Sequence, residues 1–285
     1  IPFKNIYIHP LVKDEKGEKM SKSRGNVIDP IKMAEIYGSD SLRFTLANLS
    51  TQGRDIKLSN KLVENSRNFI TKIWNVARFY EFNKFVLDEK YNLKKNKIPL
   101  NNWIIVRLSE TKRKILKNLS EFKFNLLLNE LYHFVWNDFC DLYLEFCKIY
   151  LKDEKNKKEI SNNFSQVFKE ILNLLNPIIP FVTEEISSKL KFSNSSLFSE
   201  TFESNLFAKN QISNKEITDI YKFIKLIKDI RAEFSGKNLN NSRLLIFSKN
   251  KVPWIDDNKN LLYSLFNFDK INYKTSYQES KFIIS

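Results

Sequence analysis

Apolar residues recur every three or four positions along four long stretches of the chain, which is the spacing of one face of an α-helix. These stretches begin near Asn60, at Pro99, at Phe124 and near Ile160. The third is the most regular, with apolar side chains at Phe124, Leu127, Leu131, Val135, Phe139, Leu142, Phe146 and Ile149. It predicts one helix over residues 124–151, and the fourth stretch predicts a helix over residues 160–175. Four consecutive amphipathic helices with short links indicate an antiparallel bundle.

The residues before the bundle have a different pattern. Residues 6–12 predict a short strand, and a polar loop over residues 19–26 follows it. Asp29 and Pro30 then suit the start of a helix, because Asp caps free amide groups and Pro is tolerated at the first helical position. Gly38 is suited to end that helix, and a second helix is predicted over residues 39–49.

The residues after the bundle are less regular. Residues 193–210 are rich in Ser, Asn and Phe, and a last long helix is predicted over residues 215–234. A small α/β appendix is then predicted from a strand at 243–248, a helix at 256–266 and a strand at 268–273. The sequence therefore predicts a mainly α fold in four segments: residues 1–58, 59–192, 193–234 and 235–285.

The charge balance indicates the chemistry of a partner. The chain has 47 Lys and Arg against 33 Asp and Glu, a net charge of +14. A positive field of that size attracts polyanions such as nucleic acids. The alternative is that part of the excess reflects a Lys- and Asn-rich composition and only a solvated surface.

Cysteine, histidine and apolar content exclude several classes of protein. Cys140 and Cys147 are the only cysteines, and seven residues apart on one helix they are too distant to bridge, so we predict buried thiols and no disulfide framework. Two histidines, His9 and His133, do not build a His-rich metal site. No apolar run reaches the length of a membrane span and no signal peptide opens the chain, so we expect a cytoplasmic protein without a membrane partner.

The polar loop contains the groups that a phosphate cradle needs. Within seven residues it combines three cations, two hydroxyls and a glycine: Lys19, Lys22, Arg24, Ser21, Ser23 and Gly25. Cationic side chains and accessible backbone amides bind phosphate oxygens. On this pattern alone, a solvated loop or a phosphorylation site is an equally open interpretation.

The sequence Lys19-Met20-Ser21-Lys22-Ser23 matches the second signature motif of the class I aminoacyl-tRNA synthetases. The residues that follow, through Gly25-Asn26 and the Gly38-Ser39-Asp40-Ser41-Leu42-Arg43-Phe44 string, resemble the valine, isoleucine and leucine subgroup. The resemblance implies the end of a Rossmann catalytic domain with helices that contact the tRNA stem, followed by an anticodon-binding helical bundle. The segments 1–58 and 59–192 correspond to these two parts.

The resemblance also implies roles for the loop. Lys19 and Lys22 would be catalytic, stabilising charge on the triphosphate while ATP and an amino acid form the adenylate. The ATP-binding set would be Lys19, Met20, Ser21, Lys22, Ser23 and Gly25, with Mg²⁺ carried by ATP and no metal held by this segment. The family's His-x-Gly-His motif is expected upstream of Ile1. Because the chain opens without Met, we expect a C-terminal piece of a longer enzyme that is inactive by itself.

Two further segments resemble the valine enzymes of this family, namely Gly53-Arg54-Asp55-Ile56 and the stretch from Arg67 to Phe79. The resemblance implies valine, ATP and the valine tRNA as substrates of a monomeric ligase. We expect tRNA contacts from Arg54, Arg67, Lys72, Arg78 and Arg107. A structural ion pair is the rival role for Arg67 and Arg78, and Trp74 is expected in the core. Two other functions stay open: an isoleucine enzyme, and a tRNA-binding module without catalysis.

Overall fold

The computed structural model describes residues 2–193, 195–199, 214–234, 242–247, 252–256, 258–274 and 282–284. Helices dominate these residues, so the prediction of a mainly α fold is confirmed. The prediction of an irregular segment over 193–210 falls largely outside them, since only 193 and 195–199 are described there, with a 3₁₀ turn at Leu197–Ser199.

The first part of the chain contains two short parallel strands, β1 (Val12–Lys13) and β2 (Ile56–Lys57). Between them lie α1 (Pro30–Tyr37) and α2 (Ser39–Leu49). The predicted strand over residues 6–12 was wrong in extent, because only its last residue has a neighbouring strand to pair with. The helix start was predicted correctly: the Asp29 carboxylate accepts hydrogen bonds from the first free amides of α1.

The bundle follows as five helical elements. They are α3 (Asn60–Phe82), α4 (Pro99–Ser120), a continuous helix made of α5 (Phe124–His133), a π-helical segment (Phe134–Tyr143) and α6 (Leu144–Tyr150), then α7 (Glu154–Leu175) and α8 (Pro180–Leu190). The predicted helix over 124–151 is therefore present, but its middle is π-helical. Helix α7 begins six residues earlier than predicted, where Asp153 caps its first turn.

The remaining described elements are α9 (Asn214–Glu233), β3 (Arg243–Phe247), α10 (Pro253–Asp256), α11 (Lys259–Phe266), β4 (Lys270–Lys274) and β5 (Phe282–Ile284). Strand β3 is the middle strand of a mixed sheet, parallel to β4 and antiparallel to β5. This is the small α/β appendix that the pattern predicted.

A large hydrophobic core joins α2, the bundle and the small sheet. A separate, smaller cluster is formed by Met33, Ile56, Leu58 and Val63. The large core runs without interruption from Phe44 on α2 through the aromatic centre of the bundle to Ile271 on β4. Phe164 on α7 lies near its middle, with the ring of Phe139 5.1 Å away and that of Phe85 5.3 Å away. Both cysteines are buried in this core as free thiols. Their burial confirms the structural role that was predicted for them.

Candidate functional site

The predicted phosphate loop, residues 19–26, forms one connection with the turn that precedes it, and residues 14–26 together are called here the lysine loop. It leaves the end of β1, where Lys13 pairs with Lys57 of β2 and its Nζ lies 2.7 Å from an Asp55 carboxylate oxygen. Three residues separate the end of the loop from α1, which begins at Pro30. A strand pair and a capped helix therefore fix the two ends of the lysine loop.

A single 3₁₀ turn over Lys22–Arg24 forms the tip of the lysine loop. It ends at Gly25, whose φ of +67° lies in the left-handed region, and a Cβ placed there would meet nothing within 4 Å. The backbone conformation, and not crowding, is what favours glycine here. The Ser21 and Ser23 hydroxyl oxygens lie 3.2 Å apart.

The two lysines within residues 19–26 of the loop point their charge at solvent. Lys19 and Lys22 are exposed, and within the part of the chain that the structure describes no carboxylate forms an ion pair with either ammonium group. Arg24 differs, because its Nη1 donates to the Glu18 carboxylate at 2.7 Å. Residues 19–26 therefore present two uncompensated cations and one that is held by a neighbouring acid. Met20 and Ser21 are half-buried beneath them.

The segment that enters the lysine loop touches the bundle. The Tyr7 ring packs edge-on against Phe124 at a centroid distance of 5.4 Å and lies 6.1 Å from Phe122. Its hydroxyl is 3.1 Å from the Ser50 hydroxyl at the end of α2. The turn between α4 and α5 therefore supports the chain that leads into the loop.

Helix α2 is fastened to the turn between α7 and α8. The Asp40 carboxylate accepts the backbone N–H of Val182 at 2.7 Å and that of Phe181 at 3.4 Å. The Arg43 guanidinium donates to the carbonyls of Ile178 at 2.8 Å and Pro177 at 3.1 Å. Burial raises the pKa of the Asp40 carboxyl, and the two N–H donors oppose the shift without cancelling it. The first turn of α2 thus provides hydrogen-bond partners for the free amides of α8 and for the carbonyls that precede α8.

A groove of about 670 Å³ lies beside α3 and is called here the basic groove. Its lining contains four cations and two carboxylates, which are Lys72, Lys148, Lys152, Arg231, Asp141 and Glu145. Half-buried Phe79 and exposed Asn75 lie along one side of it, on the same face of α3 as Lys72. The groove therefore combines positive charge, an aromatic ring and one side-chain amide.

Lys72 is the predicted tRNA contact that lies in the basic groove. Its ammonium is 2.9 Å from the Asp141 carboxylate and 4.8 Å from the centre of the Trp136 ring. The same Asp141 accepts Arg231 Nη1 at its backbone carbonyl, at 2.6 Å. A carboxylate and a backbone carbonyl of the π-helical segment thus hold two of the groove's cations in place.

The other predicted contacts lie elsewhere. Arg67 lines a separate cavity of about 510 Å³ together with Trp74 and Phe181. Trp74 is half-buried against the core, as predicted, and Lys189 Nζ lies 5.5 Å above its ring. Arg78 on α3 and Arg54 before β2 are exposed. The structure therefore does not bring the five predicted residues together on one surface.

Arg107 on α4 is the most enclosed of the five. Its Nε and Nη2 donate to the Asp138 carboxylate at 3.1 and 2.9 Å, and its Nη1 donates to Glu110 at 2.6 Å. Lys228 on α9 reaches the other oxygen of Asp138 at 3.0 Å. Burial disfavours the guanidinium charge, but Asp138 and Glu110 outweigh it and raise the pKa of Arg107 above its usual value. The geometry is that of a structural ion-pair network.

Sequence reasoning missed several residues of these sites. Lys148 and Lys152 are four residues apart at the end of a helix, so an exposed basic pair was a readable signal. Arg231 gave no such signal, because its place in the groove depends on the packing of α9. Asn26 in the lysine loop was also missed, although it follows the glycine that ends the turn.

Two features are absent from the residues that the structure describes. None of their helices is both long enough and apolar enough to cross a membrane. Among the same residues, no three His, Cys, Asp or Glu side chains are grouped so as to hold a metal ion.

Comparison with known proteins gives two family matches. The model described as the anticodon-binding domain of tRNA ligase matches residues 101–246, and the model described as tRNA synthetases class I (I, L, M and V) matches residues 1–59. Among curated proteins, the valine–tRNA ligase of Pelagibacter ubique is 43% identical over 241 residues, covering 81% of this chain and 26% of that protein. The valine–tRNA ligase of Bradyrhizobium diazoefficiens is 47% identical over 188 residues, covering 65% of this chain and 20% of that protein.

A solved structure shows the same fold. LeuRS of Agrobacterium radiobacter K84, in a ternary complex with tRNA and LeuAMS, gives a TM-score of 0.55 at 16% identity. The match covers 100% of this chain and 33% of that one. The chain thus spans about a fifth to a quarter of the length of the curated relatives, and a third of this structure.

Proposed function

Since this chain belongs to the class I tRNA synthetase family, we propose that it forms the part of a valine–tRNA ligase that contacts the ATP phosphates and the tRNA. The proposed substrates of the whole ligase are valine, ATP and the valine tRNA. Curated valine–tRNA ligases that are 43% and 47% identical to the chain favour valine over isoleucine. We further propose that the ligase works as a monomer in the cytoplasm.

The lysine loop is the proposed ATP contact, and the observation that carries this is the state of two of its lysines. Lys19 and Lys22 are exposed and have no carboxylate partner among the described residues, although the chain is rich in ion pairs elsewhere. In adenylate formation, the valine carboxylate attacks the α-phosphate of ATP and pyrophosphate leaves. The two ammonium groups would stabilise the charge that builds up on the departing phosphates. Mg²⁺ would arrive on the phosphates of ATP.

The rest of the proposed phosphate site is backbone and hydroxyl groups. Ser21, Ser23 and the amides near Gly25 would shape the turn, with Met20 packed below it. These groups suit an anion and not a metal ion, because they offer cations and N–H donors where a metal would need carboxylates.

The basic groove is the proposed site for unpaired bases of the anticodon loop. Single-stranded RNA is recognised by stacking on aromatic rings and by hydrogen bonds to base edges, with cations holding the backbone. Phe79, Asn75 and the cations of the groove supply these three elements. Arg54, Arg67 and Arg78 would contact phosphates outside it. Arg107, already held by two carboxylates, would act on the tRNA only through the bundle it braces.

We propose the division of the chain at residues 58 and 59, which separates the lysine loop and its helices from the bundle. Helices α1 and α2 would lie against the tRNA stem, and the fastening of α2 to α8 would keep the two parts in register. Residues 193–234 and 235–285 would complete the bundle side.

The test is a binding titration of this chain with tRNA at fixed, moderate salt, since affinity for nucleic acid depends on salt. Unmodified valine tRNA is compared with the same tRNA carrying the isoleucine anticodon. We expect the valine anticodon to bind about tenfold more tightly, or more, since each well-made base contact discriminates by about 1–3 kcal/mol. Equal and equally salt-sensitive binding of the two tRNAs would contradict the proposed role of the basic groove.

A further inference from the structure

Asn26 joins three separate points of the lysine loop. Its side-chain oxygen accepts the backbone N–H of Ser21 at 3.0 Å. Its side-chain nitrogen donates to the Asp14 carboxylate at 2.8 Å and to the Lys19 carbonyl at 3.3 Å. One half-buried side chain therefore links the beginning of the loop, the first catalytic lysine and the start of the 3₁₀ turn.

The partner of Asn26 is itself held firmly. The other carboxylate oxygen of Asp14 accepts the backbone N–H of Glu18 at 2.7 Å, and its carbonyl accepts that of Gly17 at 2.9 Å. Gly17 has a φ of +85°, and a Cβ there would lie 2.9 Å from Lys57 Cε on β2. The turn at residues 14–18 is thus closed by its own hydrogen bonds and lies against the Lys57 side chain, and Asn26 ties the tip of the loop to this turn.

From this geometry we propose that Asn26 is a positioning residue of the ATP-binding loop, acting with Asp14. By holding the backbone at Lys19 and Ser21, it sets where the Lys19 and Lys22 ammonium groups stand relative to the triphosphate. Asn26 does not itself touch the nucleotide. The effect of Asn26 on the placement of the two lysines around ATP rests on the proposed function of the loop. Its effect on the order of the loop does not.

The chemistry of the position explains why an amide stands there. One side chain has to accept a backbone N–H and donate to both a carbonyl and a carboxylate, and a short amide does both. Aspartate keeps the acceptor but loses the donors, and its charge would face the Asp14 carboxylate. Asn26→Asp is therefore a nearly isosteric change that should open the loop. Adding Asp14→Asn to Asn26→Asp exchanges the donor and the acceptor of the hydrogen bond between positions 14 and 26. The double variant can therefore form this one contact again.

The first measurement uses this chain alone. Trypsin cleaves after Lys19, Lys22 and Arg24, so the rate of cleavage within the loop reports how often it opens. We expect Asn26→Asp to raise that rate about tenfold, the effect of losing one or two hydrogen bonds, and the double swap to recover most of it. The control is Asn92→Asp, because exposed Asn92 uses only its side-chain oxygen, at 3.0 Å from the Lys94 N–H, which aspartate retains. Equal loop cleavage in the parent chain and Asn26→Asp would overturn the proposal.

The second measurement is ATP–pyrophosphate exchange by the ligase that contains this chain. We expect Asn26→Asp to lower kcat about 10- to 100-fold, as misplacement of charged groups by about 1 Å does, with tRNA affinity unchanged and activity partly restored in the swap. If Lys22→Ala slows exchange but Asn26→Asp does not, the positioning role is wrong while the proposed function stands. If Lys22→Ala has no effect either, the proposed function of the loop is wrong as well.

Discussion

At the scale of single residues, similar side chains have different tasks because of what folding places beside them. Arg78 and Arg107 are both basic residues on long helices, and their sequence contexts gave them the same predicted role. Arg78 is exposed, whereas Arg107 shares Asp138 with Lys228. The pairing of Arg107 joins residues 31 apart in sequence, so no local pattern indicated it. The signature motif and the clustered cations located the lysine loop in the sequence. They did not indicate the hydrogen bonds that Asn26 makes within it.

This difference predicts opposite outcomes for two matched substitutions. Arg107→Ala leaves the buried Asp138 with one cation in place of two, so we expect the free energy of unfolding to fall by about 2–3 kcal/mol. Arg78→Ala should change stability by less than about 0.5 kcal/mol and weaken tRNA binding in a salt-dependent way. Urea denaturation and tRNA titration at several salt concentrations measure both. A stable Arg107→Ala chain with much weaker tRNA binding would contradict the structural role of that residue.

At the scale of elements, the sequence predicted those that its local pattern determines. The long helices and the capped start of α1 follow from periodicity and from Asp29-Pro30. The extent of β1 does not, because a strand needs a partner and only Val12–Lys13 meets β2. The π-helical segment kept the apolar spacing of an ordinary helix and so had no separate signal. Its carboxylates Asp138 and Asp141 receive cations from three helices.

The fastening of α2 to α8 gives a prediction at this scale. Asp40→Ala removes the acceptor for the free amides of Phe181 and Val182, so we expect the free energy of unfolding to fall by about 1–2 kcal/mol, as for the loss of a helix cap. Asp40→Asn keeps one acceptor oxygen, so it should lower the free energy of unfolding by less than Asp40→Ala does. Urea denaturation of the three chains at neutral pH measures the difference. Equal stability of Asp40→Ala and the parent chain would show that the contact does not stabilise α8.

The pH dependence of stability in the parent chain and in Asp40→Asn tests the raised pKa of the Asp40 carboxyl. The folded-state pKa of Asp40 lies above its unfolded value, which is about 4. The folded protein therefore binds the proton more tightly, and the contribution of Asp40 to stability declines as pH rises from the unfolded pKa through the folded one. Asp40→Asn lacks this titration, so its stability relative to the parent should rise over that pH interval. A constant difference across the interval would contradict the raised pKa.

At the scale of the whole molecule, the two features that matter are the larger hydrophobic core and the net charge of +14. The core continues from α2 to the small sheet formed by β3, β4 and β5. The basic groove is lined by residues of α3, the π-helical segment, α6, α9 and α11. Net charge predicted a polyanionic partner, but the position of the groove depends on helix packing that periodicity does not determine. Of the cations that the sequence analysis overlooked, Lys148 comes from α6 and Arg231 from α9, and Lys152 lies in the turn after α6.

The central claim is that this chain supplies the ATP-contacting loop and the tRNA-binding surface of one ligase. Its most direct test is ATP–pyrophosphate exchange with valine by the ligase that contains the chain, comparing Lys22→Ala with Lys16→Ala. Lys16 is the matched control, an exposed lysine in the same loop but in the turn at its base. We predict that Lys22→Ala slows exchange by about 100- to 1,000-fold, the usual effect of removing one group that stabilises transition-state charge, without changing tRNA affinity. Lys16→Ala should stay within about twofold of the parent, and normal exchange in Lys22→Ala would contradict the account.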